Sequence, residues 1–71
     1  GREIGKTVEA LCEGPYSEKT NGRGREMFGK TPENRIVTFF SDNAAAGRLL
    51  CLDIESVMGY IFKGEVLEPE N

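Results

Sequence analysis

Gly24-Arg25-Glu26-Met27-Phe28-Gly29-Lys30-Thr31 fits the phosphate-loop pattern G-x-x-x-x-G-K-[ST]. In that motif a glycine-rich loop follows a strand, and the amino terminus of the next helix cradles phosphate. Here Thr31 is followed by Pro32 and then by Ile36-Val37-Thr38-Phe39-Phe40, a β-favouring run that makes a poor helix. At 71 residues the chain is also too short for a nucleotide-binding α/β domain, so the match is set aside. Other catalytic sets are missing: there is no histidine, hence no Ser-His-Asp triad, and no dinucleotide fingerprint. The two cysteines, Cys12 and Cys51, cannot by themselves form an ordinary structural zinc site. One disulfide is arithmetically open, but secreted domains of this size usually carry more, so free thiols in a reducing cytosol are expected. Asp53 and Glu55 share one strand face, and that face is expected to meet solvent. The sequence is read as non-catalytic, with no metal or cofactor of its own.

The chemistry that remains is electrostatic. The net charge of −3 argues against a simple nucleic-acid binder, but it is unevenly spread. Residues 19–35 carry Lys19, Arg23, Arg25, Lys30 and Arg35 against Glu26 and Glu33, a local net of +3. Acidic groups before and after this segment, including Glu65, Glu68 and Glu70 near the end, hide it in the total. No apolar run reaches the length of a membrane span and no stretch has the layout of a secretory signal, so a cytoplasmic protein is expected. The opening Gly1, without an initiator Met, reads as the start of a processed or excised piece.

Positioning those charges falls to strands. Val8, Ala10 and Cys12 alternate with Thr7, Glu9 and Glu13, the period of a half-buried strand over 7–13, which Gly14-Pro15 ends. Residues 16–25 read as a polar loop around an Asn21-Gly22 turn. A short strand over 25–31 leads to a tight turn at Thr31-Pro32-Glu33-Asn34. Residues 34–40 form the clearest strand, with Val37 and Phe39 inward and Phe40 exposed. After a loop at 41–46, residues 47–57 alternate with Leu50, Leu52 and Ile54 on one face and Cys51, Asp53 and Glu55 on the other. Met58-Gly59 turns the chain into a last strand, with Tyr60, Phe62, Gly64 and Val66 inward and Lys63 and Glu65 outward. Cys12 inward and Cys51 outward do not face each other. Five short strands without a useful helix bury their faces best by closing into a barrel.

Four ordered segments carry a family resemblance. Ile4-Gly5-Lys6-Thr7-Val8-Glu9-Ala10-Leu11-Cys12-Glu13-Gly14 resembles the first strand of a TRAM domain, more specifically the carboxy-terminal domain of the radical-SAM tRNA methylthiotransferases. Gly29-Lys30-Thr31 followed by Asn34-Arg35-Ile36-Val37-Thr38-Phe39 is similar to that family's Gly-basic-Thr turn and Asn-basic-x-Val-x-Phe strand. Residues 47–54 resemble the next strand, and Phe62-Lys63-Gly64-Glu65 the closing Leu-basic-Gly-Glu. Cys12 and Ile61 depart from the usual residues, and segment 15–27 is longer and more polar than in many relatives.

The resemblance implies a small five-stranded antiparallel closed barrel, OB-like. It implies one domain over 1–71, with 4–68 as the barrel and 69–71 as a tail. The parent enzyme would methylthiolate an adenosine beside the tRNA anticodon using 4Fe-4S clusters and S-adenosylmethionine, neither bound by this piece. The module itself, a monomer away from any membrane, would grip the tRNA anticodon stem-loop beside the catalytic domains of its own chain. Lys30 and Arg35, flanking the tight turn, are expected to contact phosphates, which position RNA without reading sequence. Asn34 and Thr31 are read equally as base or 2′-hydroxyl contacts and as turn-capping residues. Lys63 is read equally as an extension of the basic surface and as ordinary surface charge, Arg25 as solvated loop charge within reach of phosphate, and Phe40 as stacking on a base or packing on the catalytic domain. Two alternatives stay open: a protein-interaction barrel docked on its own catalytic domain, and a TRAM domain of an RNA uracil methyltransferase.

Overall fold

The structure is a computed structural model that describes residues 4–67. The expected barrel limit at 68 and the tail 69–71 lie outside the described residues. Five strands follow one another: β1 (Thr7–Asn21), β2 (Gly24–Lys30), β3 (Ile36–Ser41), β4 (Leu49–Met58) and β5 (Ile61–Val66). They form one sheet in the order β1-β2-β3-β5-β4, and pairing of β4 with β1 closes it into a barrel.

The all-β, five-stranded expectation holds, but the purely antiparallel one does not. β3 and β5 run parallel through Ile36↔Ile61, Val37↔Phe62 and Thr38↔Lys63. The reason is one of parity: an odd number of strands cannot alternate in direction all the way around a closed ring. One neighbouring pair must therefore be parallel, and a parallel pair needs a long crossover. Here β4 itself makes that crossover.

β1 is longer than its sequence pattern. Gly14-Pro15 does not end it; the strand continues to Asn21, with register breaks against β2 between Cys12 and Gly14 and again between Pro15 and Thr20. Gly14 sits at φ 142°, and the irregularity bends the strand instead of stopping it. Pro15 is tolerated because pairing with β4 runs only from Thr7 to Leu11, so this stretch of β1 has one free edge. The expected polar loop is thus strand, closed by Asn21, whose Oδ1 accepts from the Arg23 backbone N–H at 2.7 Å.

The core is made of alternate residues from all five strands: Ala10, Cys12, Met27, Val37, Phe39, Leu52, Ile54 and Phe62. Two glycines of the phosphate-loop pattern serve packing instead of phosphate. A side-chain carbon on Gly29 would lie 2.7 Å from the Leu11 carbonyl oxygen, and one on Gly24 would strike the Asp42 backbone. Both lie in β2, where no loop and no following helix exists. Cys12 is buried and Cys51 exposed, both as free thiols. Burial pushes the Cys12 thiol up from its ordinary value of 9.0; the Gly14 backbone hydrogen bond opposes this, and the Glu13 charge adds to it.

Two expected outcomes follow from this packing. Gly29→Ala and Gly24→Ala each lose roughly 1–3 kcal/mol of stability through overpacking, whereas Gly22→Ala, with open space around it, stays within about 0.5 kcal/mol. Urea unfolding midpoints compare the three, and equal midpoints would contradict the close approach. A folded-state pKa raised at Cys12 means that the fold favours the thiol over the thiolate. Its contribution is complete below the unfolded-state pKa and is lost as pH rises towards the folded one. The stability difference between the wild type and Cys12→Ala should therefore be flat from pH 6 to 8 and shrink above pH 9, by denaturant titration at each pH.

Candidate nucleic-acid interface

The turn between β2 and β3 is built by Thr31. Its backbone N–H donates to the Arg35 carbonyl at 2.9 Å, and its carbonyl accepts from the Asn34 N–H at 2.8 Å. Its Oγ1 accepts from the Arg35 N–H at 3.1 Å. Pro32 suits the first inner position of such a turn, and Asn34 takes the left-handed conformation at φ 67°, which asparagine tolerates better than most residues. Thr31 is buried, so its hydroxyl holds the turn and does not face outward. Asn34 is exposed at the tip.

Arg35 emerges from this turn with its guanidinium 5.0 Å from the Phe62 ring centroid. Phe62 is a core residue of β5, so this cation–π contact places a cation over the end of the hydrophobic core. Lys30 ends β2 and is exposed; the register pairs it with Leu11 on one side and Ile36 on the other. Lys63 is exposed on β5, opposite Thr38 and two residues further from this end than Ile61.

The seven residues singled out in the sequence do not form one cluster. Lys30, Thr31, Asn34 and Arg35 share one end of the barrel, and Lys63 stands part-way along the wall above it. Arg25 and Phe40 belong to the other end, since Arg25 pairs with Ser41 and Glu26 with Phe40. Arg25 and Lys30 are five strand steps apart, about 16 Å at strand rise. Arg25 is in β2, not in a loop, and its Nε donates to the Ser17 carbonyl at 2.9 Å. Phe40, expected to be exposed, is half-buried in a shallow pocket with Arg23, Asp42 and Val66.

The charges sort by strand. Glu9, Glu13, Asp53 and Glu55 lie on β1 and β4. The acids on β2 and β5 are engaged: Glu26 accepts a hydrogen bond from Ser17 Oγ, and Glu65 forms an ion pair with Arg23. Among the described residues Lys30, Arg35 and Lys63 have no acidic partner within ion-pair distance.

Sequence reasoning missed two residues at this end. Met58 pairs with Ile61, leaving Gly59 and Tyr60 as a two-residue hairpin loop with Gly59 at φ 62°. Tyr60 was expected inward; instead it sits at the tip, 87% exposed, with Met58 82% exposed beside it. The readable signal was the turn: when glycine opens a two-residue loop, the residue after it belongs to the loop and not to the strand.

Among the described residues no three His, Cys, Asp or Glu side chains converge where a metal ion could sit. Cys12 in the core and Cys51 on the surface cannot share a cluster. No helix among the described residues is long and apolar enough to cross a membrane.

No family model matches the chain. It is similar to proteins named tRNA-2-methylthio-N(6)-dimethylallyladenosine synthase. The protein of that name from Methylibium petroleiphilum is 36% identical over 75 aligned positions, covering 99% of this chain and 16% of the relative. The one from Porphyromonas gingivalis strain W83 is 33% identical over 67 residues, 94% of this chain and 14% of the relative. That of Anaeromyxobacter sp. strain K is 50% identical over 44 residues, 62% of this chain and 8% of the relative. The chain thus corresponds to less than one fifth of the length of the relatives it matches.

The turn can be dissected by substitution. Thr31→Ala should cost about 1 kcal/mol for the lost acceptor, and Asn34→Val roughly 1–2 kcal/mol for a branched residue in left-handed backbone. Asn34→Gly should leave stability unchanged or slightly higher. Thermal melts of the three variants test this ranking, and a harmless Asn34→Val would contradict it.

Proposed function

We propose that this chain is the RNA-gripping module, of TRAM type, of a tRNA methylthiotransferase. The observation that carries the reading is the end of the barrel where Lys30 and Arg35 flank a tight turn with no acidic group within ion-pair distance among the described residues. The matches to methylthio-dimethylallyladenosine synthases along nearly the whole chain support it. Five strands in the order β1-β2-β3-β5-β4 accord with an OB-like barrel, a fold used widely on oligonucleotides. In the parent protein the iron–sulfur clusters and S-adenosylmethionine would be held elsewhere in the longer chain, because the residues described here do not fit a cluster. The substrate would be an adenosine of the tRNA anticodon loop, in the cytoplasm. No catalytic step is assigned to this piece.

Lys30 would meet phosphate as a point charge, while Arg35, held over Phe62, would offer its guanidinium donors to phosphate or sugar. Asn34, at the tip between them, is free to reach a base edge or a 2′-hydroxyl. Thr31 acts through the turn and not by contact. Arg25 and Phe40 lie too far away to join this site. With three basic groups and an acidic flank, isolated affinity would be weak and salt-dependent; the rest of a longer chain would raise it by effective concentration.

A second reading rests on the surface that adjoins this turn. Leu11 and Leu49 are directly paired between β1 and β4, and are 42% and 59% exposed. An outward leucine pair suits docking against another part of a longer chain. The two surfaces adjoin, since Leu11 pairs with Lys30 and both leucines line one groove with Lys30 and Asn34, so RNA binding itself separates the readings. A tRNA anticodon stem-loop added to the labelled chain should move the amide signals of Lys30, Asn34, Arg35 and Lys63, but not that of Arg25 at the other end. Lys30→Ala should lower the slope of log K against log salt by about 0.7 if it neutralises one phosphate of a single strand. No shifts at millimolar RNA would remove the RNA-binding reading and leave the docking one.

A further inference from the structure

We propose that Tyr60 is a stacking platform for an unpaired base, so that the barrel end takes a single-stranded RNA segment and not a duplex. This rests on the RNA-binding reading above and specifies the partner of that same site. Tyr60 stands out among the six aromatic residues of the chain. Phe39 and Phe62 are in the core, Phe28 and Phe40 are half-buried, and Tyr16 packs edge-on against Phe28 with ring centroids 5.8 Å apart. Tyr60 has almost its whole side chain in solvent. A two-residue hairpin loop is normally filled by small polar residues, and an aromatic ring there contributes nothing to the core.

Its neighbours indicate the ligand. The parallel register sets Ile36 beside Ile61, so the residues just before them, Arg35 and Tyr60, lie side by side at the same end. The Arg35 guanidinium is already held against the Phe62 ring. Lys30 joins them through its pairing with Ile36. A flat apolar ring beside planar and point cations offers a π-face to a base and charge to its flanking phosphates. Bases inside an A-form duplex have no free face, so a single strand or loop satisfies this arrangement and a helix does not. An acidic or apolar protein segment would use the same ring differently, and the test distinguishes it.

Tyr16 and Tyr60 are the two tyrosines and there is no tryptophan, so Tyr16→Phe leaves Tyr60 as the one source of tyrosine emission. That variant would be titrated at low salt with single-stranded oligoadenylate and with a blunt RNA duplex of equal phosphate number. Oligoadenylate should quench the emission, and the duplex should leave it unchanged. Tyr60→Ala should weaken oligoadenylate binding by about five- to a hundredfold, the range for one stacked base. It should leave duplex affinity and the salt slope as they were, and Tyr60→Trp should restore binding. Because Tyr60 is solvent-exposed, the alanine variant should keep the wild-type melting curve. RNA binding with unchanged affinity in Tyr60→Ala would overturn the stacking role while leaving the RNA-binding reading intact. Emission that neither RNA moves, in a chain that still binds RNA, would overturn it in favour of a protein contact at the tip. Failure of the wild type to bind either RNA would remove both readings together.

Discussion

Five strands cannot close a ring in strict alternation, and much of this molecule follows from that parity. The parallel pair falls between β3 and β5. Two strands that run in the same direction begin at the same end. The turn that delivers β3, Thr31 to Arg35, is therefore set beside the hairpin that delivers β5, Gly59 and Tyr60. Residues about 25 apart in sequence become neighbours without a single side-chain contact having to specify it. The basic turn and the aromatic tip are a consequence of closure, and loop chemistry only decides what each carries.

Closure also makes a demand on β1, which must serve β2 along one edge and β4 along the other. It meets both demands only up to Leu11, then breaks register around Gly14 and runs on with β2 alone. The glycines of β2 let backbones come close where the ring is tightest: Gly29 against Leu11, and Gly24 against Asp42. Their fit to a phosphate-loop pattern is a coincidence of barrel packing, since two glycines five apart followed by a basic residue also describe a strand crossed closely at two points. Charge follows the same geometry. Glu9 and Glu13 of β1 share a groove with Lys30, Thr31 and Asn34 without pairing to them, while the acids on β2 and β5 are occupied by Ser17 and Arg23.

The alternating runs in the sequence were sufficient to locate all five strands and nearly every core residue, because burial on one face leaves a period of two. Val37, Phe39, Leu52 and Ile54 were legible in that way, and so was the opposite facing of Cys12 and Cys51. What alternation cannot carry is an irregularity. Gly14-Pro15 looks like a stop, and only the free edge of β1 beyond Leu11 allows it to be a bend. Tyr60 kept perfect parity with Phe62 and so was read as inward; a hairpin loop one residue further along removes it from the strand. Thr31 shows the same gap on the functional side. Contact and turn-capping were equally open for it, and the choice of capping, with the hydroxyl spent on the Arg35 N–H, is something a sequence does not display. Charge proximity in sequence likewise put Arg25 with Lys30, although a strand between them carries them to opposite ends.

The strand order has a further consequence for how the chain reaches its fold. β5, formed by the last described strand, sits between β3 and β4, and β1 finds its second partner 46 residues later, as the Thr7–Asp53 hydrogen bond illustrates. Only the β1–β2–β3 meander and the β4–β5 hairpin can form from local contacts. The two ring closures are both non-local, and loop-closure entropy must be met before either is rewarded. Folding should therefore be slow for so small a chain, with two preformed halves that meet late. A growing polypeptide cannot complete this barrel until Val66 has left the ribosome.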